Sequence, residues 1–414
     1  MRVWLLQTGE YLPYVDEGNR PMRAANLVRA LEGAGHEVTL WTADFIHHEL
    51  RHRYRRDTIL RASSRVELRF VHSPGYGRNV GLGRLFDHAR LGANLRERLR
   101  AELPPDVAFV GFPPVEAAAV MVSWLRQNGV PTVIDVKDQW PETLLRPLPS
   151  TLKPAARLAL GPYYRMARNA IRDSDRVASL SGPFLDWSLR FAGRERTADD
   201  LVLPLTMPKP EMSAAQYIEA GSFWDNIGVE EGETPRVVFA GRMGTHLDLA
   251  PVLSAAARVP QWQFVLSGSG PLLGELERNA GRLPNVVVTG WLNQAQLAVL
   301  HERATAVLIP YRNEEAFTLS LPNKAIDAMA YGRPLLTGLD GHLPRLIQEH
   351  GIGAKYGPHR PLESILLDWA EPNDVTQKMG LKSGELYIDE YSYDHVYGGL
   401  VSTLESMTRE NRAS

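Results

Sequence analysis

The sequence predicts an α/β protein made of two doubly wound, parallel-sheet domains, and three observations carry that prediction. At 414 residues the chain exceeds what one hydrophobic core usually serves, so two domains of about 200 residues are expected. Short apolar runs alternate with segments of helical apolar spacing, the pattern of buried parallel strands with helices on both faces. Residues 202–227 lose that rhythm and are rich in Pro, Ser and Met, which marks a linker. The domains are therefore placed at 1–200 and 201–387.

Composition narrows the class. A hydrophobic fraction of 44% and a charged fraction of 23% describe an ordinary globular protein. Forty-six basic residues against 48 acidic ones give a net charge of -2, so no general attraction to nucleic acid is expected. The absence of cysteine excludes disulfides, thiolate zinc sites and cysteine catalysis, and suits a reducing compartment. The opening MRVWLLQTGEY has too short an apolar run for a signal peptide and reads as a first strand. With no apolar run of about 18 residues, no membrane-spanning helix is expected.

In the first half, Val3 to Gln7 reads as a buried strand, followed by a polar loop from Thr8 to Arg23. Ala24, Leu27, Val28 and Leu31 then recur at helical spacing, and Glu37 to Thr42 resumes as a strand. The loop does not match the dinucleotide fingerprint, whose glycines follow the strand directly. It is either a structural turn or a place where Glu17, Gly18, Asn19 and Arg20 touch a diphosphate or an acceptor. His52 to Arg65 is arginine-rich, and Val66 to His72 is strand-like. Arg84 to Leu103 forms a basic helix with Leu85, Ala89, Gly92, Leu95 and Leu99 on one face and arginines elsewhere. Its basic face is either solvated or meets an anionic membrane. Strands at Asp106 to Gly111 and Thr132 to Val136 follow, the second ending in KDQWPE. Ligands of doubly wound sheets bind at the carboxyl ends of strands, so Lys137 and Asp138 are site candidates. A short strand at Val177 to Leu180 closes the domain.

The second half repeats the layout. Strands are expected at Arg236 to Ala240, Trp262 to Ser267, Val286 to Thr289, Ala306 to Pro310 and Pro334 to Gly338, with Asn293 capping a helix between the third and fourth. Glycine-rich turns follow the first two strands: Gly241-Arg242-Met243-Gly244 and Gly268-Ser269-Gly270-Pro271. Glycines admit a ligand to the backbone, and arginine offers a fork of donors to phosphate oxygens. The stretch Phe317 to Leu336, FTLSLPNKAIDAMAYGRPLL, runs from a polar turn into a short helix whose first N–H groups are open to an anion. Asp327, on that helix, has the chemistry to accept hydrogen bonds from ribose hydroxyls. Together these features point to a nucleoside-diphosphate ligand on the second domain.

YLPYVDEGN, VKDQWPE, FAGRMG, GSGP and SLPNKAIDAMAYGRP, in this order, resemble the GT-B glycosyltransferases of the large retaining group 1 family. The D-x-W-P-E and LPxK sequences resemble most closely its bacterial branch of O-antigen, capsule and exopolysaccharide acetamidosugar transferases. The resemblance implies two Rossmann-like domains facing a deep cleft, the first completed by a C-terminal helix at about 388–414. It implies transfer of a sugar, with retention, from a nucleotide sugar, UDP-linked by preference, to a saccharide or lipid-diphosphate-linked acceptor. It places the protein in the cytoplasm or at the inner face of the cytoplasmic membrane.

By that resemblance Arg242 meets the donor diphosphate and Asp327 takes the place of the second glutamate of the E-x7-E signature. Gly241, Met243, Gly268, Gly270, Ser320, Leu321, Pro322, Asn323 and Lys324 line the donor, with Gly18 and Asn19 reaching it from the first domain. Asp138, Lys137 and Glu315 join Arg242 as catalytic candidates. Leu319 stands where the first signature glutamate is expected, with Glu314 or Glu315 as substitutes. No D-x-D pair closes a strand, so no metal and no cofactor beyond the nucleotide-sugar co-substrate is expected. A catalytically silent GT-B relative acting as a binding or scaffold protein is the alternative reading.

Overall fold

The computed structural model describes residues 1–16, 21–77, 81–370 and 374–413. It consists of two compact units, Met1–Leu205 with Val396–Ser414, and Thr206–His395. The first break thus falls at Leu205 rather than 200, and the return to the first unit at Val396 rather than 388.

The first unit is an eight-stranded sheet with the order β10-β9-β8-β7-β1-β2-β6-β5. Its strands are β1 (Arg2–Leu6), β2 (Glu37–Ala43), β5 (Thr58–Arg61), β6 (Val66–Val71), β7 (Val107–Phe112), β8 (Thr132–Val136), β9 (Arg176–Ser179) and β10 (Leu201–Val202). A small hairpin of β3 (Phe45–Ile46) and β4 (Arg51–His52) stands beside it. All pairings in the large sheet are parallel except β5 with β6. The central strands β7 and β8 are buried along their whole length, which is why they read as continuous apolar runs. Helices α1 (Arg23–Gly33), α2 (Leu82–Leu99) and α3 (Val115–Gln127) cover the sheet.

Two expectations for this unit change. The buried face of α2 is Asp87, His88, Leu91, Gly92, Leu95 and Leu99, with Ala89 exposed; the face turns polar at its N-terminal end because it borders a pocket. The arginine-rich run hides strand β5, whose residues alternate between half-buried and exposed as at a sheet edge.

The second unit is a six-stranded, wholly parallel sheet with the order β13-β12-β11-β14-β15-β16. Its strands are β11 (Arg236–Ala240), β12 (Gln263–Ser267), β13 (Val286–Thr289), β14 (Ala306–Ile309), β15 (Leu335–Thr337) and β16 (Gly353–Lys355). Chain order reverses between β11 and β14, so a crevice opens at their carboxyl ends, the topological switch point of such sheets. Asn293 caps the helix Gln294–Arg303 through the backbone N–H of Gln296, as expected. Within the stretch read as linker lies a helix, Ala214–Asp225, held by a Ser213/Gln216 capping box and anchored by the buried Trp224. No helix among the described residues is long and apolar enough to cross a membrane.

Candidate active site

At the switch point of the second unit, the loops after β11 and β14 are zipped together. Asp248 N–H donates to the Pro310 carbonyl at 2.8 Å, and Arg312 N–H to the His246 carbonyl at 2.8 Å. The turn after β12 packs against the turn after β11: Gly241 N–H donates to Ser267 O, Met243 N–H to Ser269 O, and Leu272 N–H to Met243 O. The approach is so close that a Cβ on Gly268, at φ +146°, would collide with the Gly241 carbonyl. Glycine is required there on both counts.

Lys324 enters this floor from the first turn of the helix Asn323–Ala330. Its ammonium end lies where a Cβ of Gly241 would be, 5.7 Å from the Phe239 ring and 5.9 Å from the Tyr311 ring. His246, Tyr311 and Phe317 form an aromatic wall, with Tyr311 and Phe317 stacked at 4.7 Å. Partial burial lowers the pKa of His246, and the nearby charges of Lys324 and Arg242 depress it further, while Glu314 opposes them. Two cations therefore converge on one neutral imidazole. Arg242 is exposed, and neither it nor Lys324 makes an ion pair among the described residues. Unneutralised positive charge, a helix N-terminus and an open glycine backbone together form a site for a di-anion.

The first unit has a pocket of about 340 Å³ at the carboxyl ends of its strands, lined among others by Glu10, His47, Tyr76, Arg84, His88 and Lys137. Its lysine is paired. Lys137 Nζ donates to Glu10 Oε1 at 2.5 Å and Gln7 Oε1 at 2.6 Å, while Glu10 Oε2 accepts the Ala24 N–H at 2.8 Å. The Gln7 amide lies over Gly111, where a Cβ would meet it at 2.6 Å. Burial pushes His47 down to about 4 and His88 down to about 3, helped in both by the charge of Arg84, so both imidazoles are neutral near pH 7. The Tyr76 hydroxyl lies 2.5 Å from His47 Nδ1. Arg84 stacks over Trp140 at 4.9 Å. Deeper in, burial raises Glu116 to about 7, and its Oε2 accepts the Tyr163 hydroxyl at 3.2 Å. Such a pocket, neutral in its imidazoles and walled by aromatic faces, suits an uncharged hydroxylated ligand.

Residues 22–205 match the family described as glycosyl transferase 4-like domain, and residues 234–365 the family described as glycosyl transferases group 1. The chain carries both domains of a GT-B glycosyltransferase. Sulfoquinovosyl transferase SQD2 of Arabidopsis thaliana is 29% identical to this GT-B chain over 123 residues, 30% of the chain and 23% of the relative. The aligned part thus spans less than a quarter of that curated relative's length. Sucrose-phosphate synthase from Thermosynechococcus elongatus superposes with a TM-score of 0.70 at 15% identity, covering 99% of both chains. Anabaena HepE, solved in complex with UDP-glucose, gives 0.62 at 16% identity over 98% of this chain and 100% of its own. At such identities these structures show the fold that the GT-B chain shares with them.

The sequence candidates divide on this geometry. Arg242, Gly241, Gly268, Gly270 and Lys324 come together at the second unit's switch point, with Pro322 and Asn323 at the adjoining helix start. Met243 and Leu321 are buried in the hydrophobic cores, so they shape the loops from behind and have no side chain to offer a ligand. The Ser320 hydroxyl donates to the Ala316 carbonyl at 2.6 Å, which commits it to its own turn. Asp327 is half-buried one turn before Tyr331; burial raises the pKa of Tyr331 and Tyr387, and the charge of Asp327 adds to the rise in both. Glu315 is exposed; of the two glutamates it is Glu314 whose charge reaches His246.

In the first unit, Lys137 and Asp138 both line the pocket, and each is engaged by neighbouring groups. Both Asp138 oxygens serve their own loop, accepting from Gln139 N–H at 2.7 Å, Thr143 Oγ1 at 3.1 Å and Trp140 Nε1 at 3.1 Å. Asp138 therefore positions Trp140, and Lys137 is held by Glu10. Gly18 and Asn19, with Glu17, lie outside the described residues. His47, Tyr76 and the α2 pair Arg84 and His88 were missed because they come from three separate segments; the one local signal was Asp87-His88 interrupting an apolar helix face.

Proposed function

We propose that the protein transfers a sugar from a UDP-sugar to a hydroxyl of a glycan, a lipid-linked saccharide or a small acceptor, with retention of configuration. The observation that carries this reading is the pair of unneutralised cations, Arg242 and Lys324, on the glycine floor at the β11/β14 switch point. HepE, solved with UDP-glucose on the same fold, supports the nucleotide. Arg242, Lys324 and the N–H groups that open the helix Asn323–Ala330 hold the diphosphate and stabilise charge as the anomeric C–O bond breaks. The acceptor oxygen attacks the anomeric carbon from the face the diphosphate leaves, and its proton passes to a departing phosphate oxygen. This route needs no strongly basic side chain, consistent with Asp138 and Lys137 being engaged elsewhere and with a reaction independent of metal. Asp327 holds the ribose.

Within this reading the pocket of the first unit takes the acceptor sugar, with Tyr76 as a ring platform. The D-x-W-P-E and LPxK sequences, which resemble those of acetamidosugar transferases, support a lipid-diphosphate-linked acceptor in lipopolysaccharide or capsule assembly and an acetamidosugar donor. Helix α2 supports work at the cytoplasmic face of an anionic membrane: Leu82 and Phe86 are exposed at 83% and 60% beside Arg90.

Incubation with UDP-sugars and acceptors, read as UDP release, tests the proposal. Arg242→Ala is expected to lower turnover by about 100- to 1000-fold, the cost of removing one aimed donor. Leu319, in place of a carboxylate, favours a second reading, a binding protein without turnover. UDP binding with no UDP release from any donor would establish that reading instead.

A further inference from the structure

Outside the pocket, at the carboxyl ends of β2 and β6, three ligating side chains converge. Asp44 follows β2, His52 ends β4 and His72 follows β6. His52 Nδ1 and His72 Nδ1 lie 3.1 and 3.2 Å from one and the same oxygen, Asp44 Oδ2. The three ligating atoms all lie within 4.8 Å of one another.

Their outer partners decide what fits between them. His52 Nε2 is 3.1 Å from the Pro74 carbonyl, which only accepts, so that nitrogen carries a proton. His52 Nδ1 therefore faces the Asp44 oxygen with either a proton or a metal ion between them. Donating the far N–H to a carbonyl is how metal-bound imidazoles are commonly oriented. Asp44 is held as firmly: its side chain is fully buried, Oδ1 accepts the Tyr54 N–H at 2.7 Å and Oδ2 the Arg55 N–H at 2.9 Å. A tetrahedral ion with ligand bonds of about 2.0–2.2 Å sets neighbouring ligand atoms about 3.3 Å apart, close to the observed pair. His72 is 37% exposed, which leaves one side open to water.

We propose that Asp44, His52 and His72 bind a structural divalent cation of the zinc class, pinning the β3–β4 hairpin to the sheet. Two imidazoles and one carboxylate suit zinc better than magnesium or calcium, which take all-oxygen sites. Arg53 in the same hairpin segment is neutralised by Asp16 at 2.6 Å. The site is linked to the pocket wall, since the Phe45 ring lies 5.1 Å from that of His52 and 4.7 Å from that of Tyr76. It lies in a different unit from the donor loops, so it concerns the folding of the first unit rather than the transfer step.

Zinc titration of the chelator-stripped, full-length chain tests the site, with zinc content and melting temperature as readouts. About one zinc per chain and a raised melting temperature are expected. His72→Ala is expected to weaken zinc binding by more than about 100-fold, since outer-shell partners alone are worth about 10- to 100-fold. Its melting temperature should match that of the stripped wild type. His52→Gln serves as the second variant, with the same expected loss. Zinc content near zero with unchanged melting would overturn the proposal and leave a protonated histidine on Asp44. Wild-type zinc affinity in both variants would overturn it equally, because the metal would then sit elsewhere.

Discussion

The carboxyl ends of the two sheets share a topology and differ in how they handle charge. In the second unit Arg242 and Lys324 stand on glycine backbone with no ion-pair partner among the described residues. In the first unit the corresponding lysine, Lys137, is paired with Glu10, and the imidazoles of His47 and His88 are held neutral by burial and by Arg84. One end is prepared for an anion and the other for a ligand without net charge. The same α/β frame therefore divides labour through pairing of side chains, not through the backbone.

Substitutions that alter the pairing sharpen this contrast. Glu10→Ala strands the Lys137 ammonium and the Ala24 N–H, and is expected to destabilise the first unit by about 3–5 kcal/mol, read by denaturant unfolding. UDP affinity should be unchanged; a matching loss of affinity would break the division between the two sites.

Glu116→Gln probes the neutral network behind the pocket, where Tyr163 and His88 face the carboxyl group. The folded chain holds the Glu116 proton up to about pH 7, above the ordinary value of 4.5. The unfolded chain releases it first, so wild-type stability falls as pH rises from about 4.5 through 7. The variant removes that cost. It is expected to gain on the order of 2–3 kcal/mol over wild type at pH 8, with the gain vanishing near pH 4.5. A pH-independent difference would show that the carboxyl group is not held protonated. The smallest effect is expected at Glu315, where Glu315→Gln should change stability by less than about 0.5 kcal/mol and leave turnover near wild type.

The donor side was legible because its signals are local. Glycines follow their strands directly, and Lys324 and Asp327 are three residues apart on one short helix, so spacing alone assembled most of the floor. What spacing could not show was which members face inward: Met243 and Leu321 stand in the same motifs yet pack into the core. The pocket of the first unit was largely illegible because His47, Tyr76 and His88 come from three segments that only the fold brings together. Strand β5 was hidden by arginines that an edge strand tolerates, and the helix Ala214–Asp225 by its weak apolar face. Lys137 and Asp138 were found at a strand end, as topology requires, but their partners Glu10 and Trp140 determine what they do.

Calorimetric titration of UDP into wild type and Arg242→Ala tests the central claim most directly. The account requires saturable binding to wild type and at least about tenfold weaker binding to the variant, because a charge-assisted bond to the diphosphate is worth about 1.5–3 kcal/mol. Equal affinity in the two proteins, or no binding of UDP to wild type, would contradict it.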